Sequence, residues 1–192
     1  MQLEMGEVEK METSTKKNLV YGVSGIALSI VGFLVWMWAF MEKTQDHILM
    51  FLSFGRMFGI EALRFLPESL VGLVVTKAAF IGITSTLAIL VILWGIGYWK
   101  GEQKLSIQEF VSKIGTTHYY IGAGFLVSSM TVFIDWKLSI GVLILNLLLG
   151  MLLLFVMSAK IFKVPTKRTF SFVSIAFIAY FVLFLLVAMM IL

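Results

Sequence analysis

Five stretches of this chain run for more than twenty residues without Asp, Glu, Lys or Arg: residues 18–41, 78–99, 114–134, 138–159 and 169–192. At about 1.5 Å of rise per residue, each reaches roughly 30–36 Å as a helix, enough for a hydrocarbon core of about 30 Å. Lipid offers the backbone no hydrogen-bond partners, so each stretch is expected to pair its own N–H and C=O groups as an α-helix. The strands of a membrane barrel would be about 10 residues long with alternating polarity, a pattern this sequence lacks. The predicted spans are about 19–41, 78–99, 116–134, 138–159 and 169–192. Trp36 and Trp38 close the first, Trp94, Tyr98 and Trp99 close the second, and Tyr119 and Tyr120 open the third. Such rings suit the membrane–water interface. Only Asp135-Trp136-Lys137 separates the third and fourth spans, so these two should form an antiparallel hairpin.

Composition sharpens this picture. Of the 192 residues, 60% are hydrophobic and 14% charged, where a soluble domain carries about 25% charge. Mean hydropathy is +1.00. A water-soluble domain of this size buries only about 70% of what its unfolded chain exposes, so it could not hide so much apolar surface. The fold class expected is all-α: a polytopic membrane helical bundle of five transmembrane helices, plus an amphipathic interfacial helix between the first two.

That amphipathic segment covers about residues 44–66. Ile48, Leu49, Phe51, Leu52, Phe58, Leu63 and Leu66 recur near helical spacing, while Asp46, Ser53, Arg56, Glu61 and Arg64 gather on the other arc. A sixth span is the rival reading. Two arginines and a glutamate near its middle oppose it, since each is costly inside lipid. Pro67 ends the segment. Residues 68–77 read equally as a separate half-helix or as an extension of span 2.

Residues 1–17 read as a charged cytoplasmic tail, soluble and mobile, followed by a single membrane domain over 18–192. Glu4, Glu7, Glu9 and Glu12 make this tail the opposite of a basic signal-peptide n-region. Lysine and arginine set the orientation. The tail and the loops near 100–113 and 160–168 hold ten basic residues, against five on the other side. The positive-inside rule then places the N-terminus in the cytoplasm and the protein in a membrane as a multi-pass chain.

Reactive chemistry is sparse. Cysteine is absent, which removes disulfides, thiolate metal sites and cysteine nucleophiles. In this topology His47 and His118 lie on opposite sides and cannot share a haem. His118 reads as an interfacial side chain near the start of span 3. No P-loop, dinucleotide fingerprint or hydrolase signature occurs, and Ser128 stands ten residues from His118, about 15 Å along one helix. No catalytic, cofactor-binding or metal-binding residue is assigned, no cofactor is called for, and no nucleic-acid motif is present. The residues singled out are helix-packing candidates. Gly25 with Ser29, Gly82 with Thr86, and Gly124 with Ser128 are small-xxx-small pairs that let backbones approach. Asn146 is the strongly polar side chain at depth in span 4, and Ser128, Ser129 and Thr131 are its expected partners.

The order of parts resembles the Yip1 domain family. Its parts here are a polar N-terminus, a span, an amphipathic segment and a long second span that ends in the basic loop Tyr98-Trp99-Lys100-Gly101-Glu102-Gln103-Lys104. A short stretch, Leu105 to Val111 with Phe110 in it, leads into a span opening on small and aromatic residues from Gly115 to Gly124. A tight hairpin follows, then the basic connector Lys160 to Arg168 and a last apolar span. The resemblance spans about residues 18–192. It implies five spans, a cytosolic N-terminus and no catalytic residues; eukaryotic members bind membrane-trafficking GTPases. The function expected is a non-enzymatic integral membrane scaffold or interaction module. Its partners would be the lipid bilayer and other membrane proteins or a second copy. An accessory subunit of a larger bioenergetic or transport complex, and a small pore or carrier, are the alternatives.

Overall fold

A computed structural model describes residues 2–57 and 69–191, with side-chain surroundings for 17–44, 76–187 and 189. The described residues form five helices: α1 (Gln2–Met57), α2 (Ser69–Lys100), α3 (Ile107–Val132), α4 (Trp136–Ile161) and α5 (Thr166–Ile191). Four of them contain segments long and apolar enough to cross a membrane: Lys17–Thr44, Thr76–Lys100, Trp136–Ile161 and Thr166–Val187. The chain is an all-α protein with the helices of a membrane protein.

Helix α1 is one uninterrupted rod of 56 residues. The charged tail, the first apolar window and the start of the amphipathic segment were expected to be separate pieces. Instead the helix runs through all three, from residue 2 to residue 57. No proline precedes Pro67, and once an apolar helix exists each further turn propagates cheaply through good formers such as Glu, Lys, Gln and Met. Residues 58–66 of the amphipathic segment, with Glu61 and Arg64, lie outside the described residues. Helix α2 begins at Ser69 and continues unbroken to Lys100, so residues 69–77 are an extension of the second apolar helix.

The helix ends are set by local hydrogen bonds. Ser106 and Glu109 make a reciprocal capping box at the start of α3: the Glu109 N–H donates to Ser106 Oγ at 3.3 Å, and the Ser106 N–H donates to Glu109 Oε2 at 2.8 Å. The Ser106 backbone N–H, and then its hydroxyl, hold the Glu109 carboxyl below its usual range. This cap starts α3 nine residues before the expected span. Asp135 caps α4 by accepting the Lys137 N–H at 2.8 Å, which closes the α3–α4 hairpin. At the far end of α4, Val164 N–H donates to Ala159 O at 2.9 Å and Lys163 N–H to Lys160 O at 3.1 Å. This is a Schellman motif, with Lys163 in the left-handed region at φ 50°. Pro165 then turns the chain into α5.

The helices alternate in direction. The end of α2, the start of α3, the end of α4 and the start of α5 meet around Phe162, which is fully buried. A Cβ at Gly97 or at Gly101 would strike its ring or backbone, and its ring lies 5.2 Å from that of Phe110. Gln103 N–H donates to Phe162 O at 3.1 Å, and Trp94 Nε1 donates to Leu105 O at 3.0 Å. At the opposite end, Trp36 of α1 donates to Ser139 Oγ of α4 at 2.9 Å, and Phe40 packs edge-on against Trp136.

The tightest contact joins α1 to α3, which run parallel. Gly22, Gly25, Ser29 and Gly32 on α1 face Gly115, His118, Gly122 and Phe125 on α3. Both sets repeat at alternating steps of three and four, the 3.5-residue period that keeps one seam facing a partner over several turns. The backbones nearly touch: a Cβ on Gly22 would overlap Val111 and Ser112, and one on Gly25 would overlap Gly115 O. Helix α3 is the interior helix, with eleven buried residues against six for α4, which is of equal length. That position explains why α3 tolerates more polar residues than its neighbours: Thr117, His118, Ser128 and Ser129 are all shielded by protein.

Candidate functional site

A cavity of about 370 Å³ lies halfway along the bundle, and all five helices contribute to it. It sits where the α2–α5 pair leans against the α1–α3–α4 group. Most of its wall is apolar or aromatic: Phe33, Ile81, Ile89, Ile121, Phe125, Leu147, Met151, Leu154 and Phe184. The polar groups on it are Ser29, Ser85, Thr86, His118 and Tyr180.

Each polar group arrives for a local reason. Ser29 lies on the glycine seam of α1, 2% exposed, and its hydroxyl donates to Ile26 O at 2.8 Å. His118 faces it across the seam, 1% exposed, with Nδ1 3.2 Å from Ser29 Oγ. Its Nε2 has no hydrogen-bond partner in the protein. Thr86 donates back to Gly82 O at 2.9 Å. Ser85 and Tyr180 hydrogen-bond each other across α2 and α5. The cavity is therefore largely apolar, and the unpaired Nε2 of His118 is buried beside it. Pockets of this size and make-up suit small, largely apolar molecules. Among the described residues no group of three or more His, Asp or Glu side chains is placed to hold a metal ion.

The expected packing residues fall in different places. Gly25 lies in the α1–α3 seam beside Gly115. Ser29 lies both on that seam and on the cavity wall. Gly82 also lines the cavity, and a Cβ there would meet the Phe33 ring. Gly124 lies under the Asn146 side chain. Ser128 turns back to Gly124 O at 2.8 Å and receives the Ser139 hydroxyl on its carbonyl at 2.7 Å.

Two expectations about side chains are corrected. Asn146 was expected to reach Ser128, Ser129 or Thr131, but Nδ2 donates instead to Ile121 O, at 3.1 Å. The three hydroxyls each bond a carbonyl of α3 itself, the usual outlet for Ser and Thr in a helix. His118 was expected at the interface. The cap at Ser106 puts it three turns inside α3, and the seam with α1 buries it. The missed signal was the S-x-x-E box at 106–109 together with the Gly115–His118–Gly122 spacing, which places His118 on the same stripe as two glycines.

Comparison of the chain with protein-family models, curated proteins and solved structures yields no significant match.

Proposed function

We propose that this chain crosses the bilayer five times, α3 included, with its N-terminus in the cytoplasm. In this reading it serves as a Yip1-type, non-enzymatic membrane interaction module. The observation that carries it is the joint around Phe162. The parts on which the layout resemblance rests are the glycine-containing basic loop, the phenylalanine after it and the basic connector before the last span. They pack into a single knot: Gly97 and Gly101 under Phe162, and Phe110 against its ring. Lys104 ties the loop together by donating to Tyr98 O and to Gly101 O. The helical direction of α3, parallel to α1 and antiparallel to α4, supports its role as a span.

The same joint gathers Lys100, Lys104, Lys160, Lys163, Lys167 and Arg168 at one end of the bundle. Basic side chains belong on the cytoplasmic side of a membrane protein. In this orientation the first turns of α1 stand out from the same side as a helical arm of roughly 20 Å carrying Glu4, Glu7, Glu9 and Glu12. A second reading, an accessory subunit of a larger complex, draws on the exposed apolar faces of α4 and α5, among them Leu148, Leu152, Phe177 and Phe181.

Crosslinking in native membranes, followed by identification of the crosslinked proteins, tests the module. Recurrent membrane-protein partners or a homo-oligomer are expected. A chain that stays uncrosslinked and drives solute flux in liposomes would overturn it. Stoichiometric co-purification with a cofactor-bearing complex would favour the accessory reading. Accessibility labelling of single cysteines at positions 12, 54, 103, 136, 166 and 192 tests span number and orientation in this cysteine-free chain.

A further inference from the structure

We infer that the crevice between α4 and α5 binds one phospholipid with an anionic headgroup. Its phosphate lies on Lys160, Lys163, Lys167 and Arg168, and an acyl chain runs down the crevice into the mid-bundle cavity. This goes beyond the interaction module and rests only on the chain spanning a membrane.

The headgroup end is a cluster of cations that the protein does not neutralise. Lys160, Lys163, Lys167 and Arg168 fall where α4 ends and α5 begins, and all four are exposed. None of them makes an ion pair with a described residue. The acids nearby do not balance them: Glu102 stands exposed in the loop after α2, and Glu109 is held in the α3 cap. Lys100 and Lys104 add to the same end of the bundle. Like charges gathered this closely repel one another unless an anion lies among them. At a bilayer surface the anion at hand is a lipid phosphate, and each basic side chain beside an anionic leaflet strengthens the attraction about fivefold. A zwitterionic headgroup brings its own cation and forfeits much of that gain.

The tail end is the cavity. Helix α4 packs chiefly on α3, and α5 on α2, which leaves a crevice between α4 and α5. Leu147 of α4 and Phe184 of α5 line the cavity and are still exposed on the outside, so its mouth lies in that crevice. Along α4, Leu154 and Leu147 lie about 9 and 20 Å from Lys160, and along α5, Tyr180 lies about 18 Å from Arg168. One leaflet of a hydrocarbon core is about 15 Å deep. A lipid whose phosphate rests on the four cations therefore ends its chains at the depth of the cavity. The volume of about 370 Å³ compares with about 150 Å³ for a dry cavity that holds the six carbons of benzene, which leaves room for roughly a dozen chain carbons. No Asp, Glu, Lys or Arg among the described residues lines it, so the cavity suits the tail and not the headgroup.

Photo-crosslinking of the full-length protein in phosphatidylcholine vesicles tests this. The probes are phosphatidylglycerol and phosphatidylcholine, each added as a minor component with a diazirine near the end of one acyl chain, and labelled residues are mapped by peptide mass spectrometry. Leu148 and Leu152, exposed on the outer face of α4, are expected to take equal label from both probes and so report that the chain lies in lipid. Ile121 and Phe125 of α3 line the cavity and are otherwise buried, so label on them requires a chain inside. They are expected to take at least about fivefold more label from the phosphatidylglycerol probe. In the combined variant Lys160→Gln, Lys163→Gln, Lys167→Gln and Arg168→Gln, the two probes should label them equally. Unlabelled Ile121 and Phe125 beside labelled Leu148 and Leu152 would overturn the path of the tail. Equal label from both probes in the wild-type protein, or an unchanged preference in the combined variant, would overturn the headgroup site. Unlabelled Leu148 and Leu152 would refute the membrane reading itself, and the site with it.

Discussion

Replacing Gly115 by alanine is expected to force α1 and α3 apart. A Cβ built there comes within 2.7 Å of Gly22 C and closer still to Gly22 Cα and O. Carbon atoms in comfortable contact sit about 3.5–4.0 Å apart, so the helices must separate by roughly 1 Å. Both partners are backbone, so no rotamer change relieves the clash. A radial gap of that size forfeits about a quarter to a half of each pair's dispersion energy, and the seam runs through Gly25, Ser29 and Gly32. Overpacking of this kind costs about 1–3 kcal/mol. Alanine also favours a helix over glycine by about 1 kcal/mol, which would mask part of the loss. Gly141→Ala removes that ambiguity: it carries the same change in a helix, and a Cβ there meets nothing within 4 Å. The two variants should therefore differ by about 2 kcal/mol, with Gly115→Ala the weaker. Unfolding of each in mixed micelles, titrated with SDS and followed by tryptophan fluorescence, measures the difference. Stabilities within about 0.5 kcal/mol of each other would refute the account of the seam, because the propensity term is common to both.

Three further outcomes are expected. Lys163→Gly should stabilise the protein by about 0.5–1 kcal/mol in the same titration, because it relieves a left-handed residue at the Schellman turn. Glu109 is held below the usual carboxylate range by Ser106. Its contribution to the α3 cap is thus complete above the pKa of an unfolded glutamate and is lost as pH falls through the lowered folded value. A wild-type melting temperature that drops no further than that of Glu109→Gln between pH 6 and pH 3 would contradict this. Asn146→Leu removes the bond to Ile121 O and should cost about 1 kcal/mol. It should leave any liposome flux unchanged, since Asn146 does not line the cavity.

Much of the chain's local order is legible in its one-dimensional pattern. The charge-free windows mark the apolar lengths, and four of the five fall on helices long and apolar enough to cross a membrane. The hairpin at Asp135 is legible as well, since three residues between two long apolar runs leave no other route. The capping box at Ser106 was present as S-x-x-E, and reading it would have started α3 at the observed residue and drawn His118 inward. The continuity of α1 was harder to see, because a change from charged to apolar composition marks a change of solvent and does not break a helix.

The sequence by itself determined that most of this chain is helical and apolar enough for lipid, because backbone hydrogen bonding and solvent transfer are settled residue by residue along each segment. Only the tertiary structure decided which glycine meets which backbone, that Asn146 bonds Ile121 O, and that His118 is sealed between α1 and α3 beside a chamber built from all five helices. The reason is physical. In lipid no hydrophobic force favours one helix neighbour over another, so the pairing follows from shape and from a few hydrogen bonds between residues far apart in the chain.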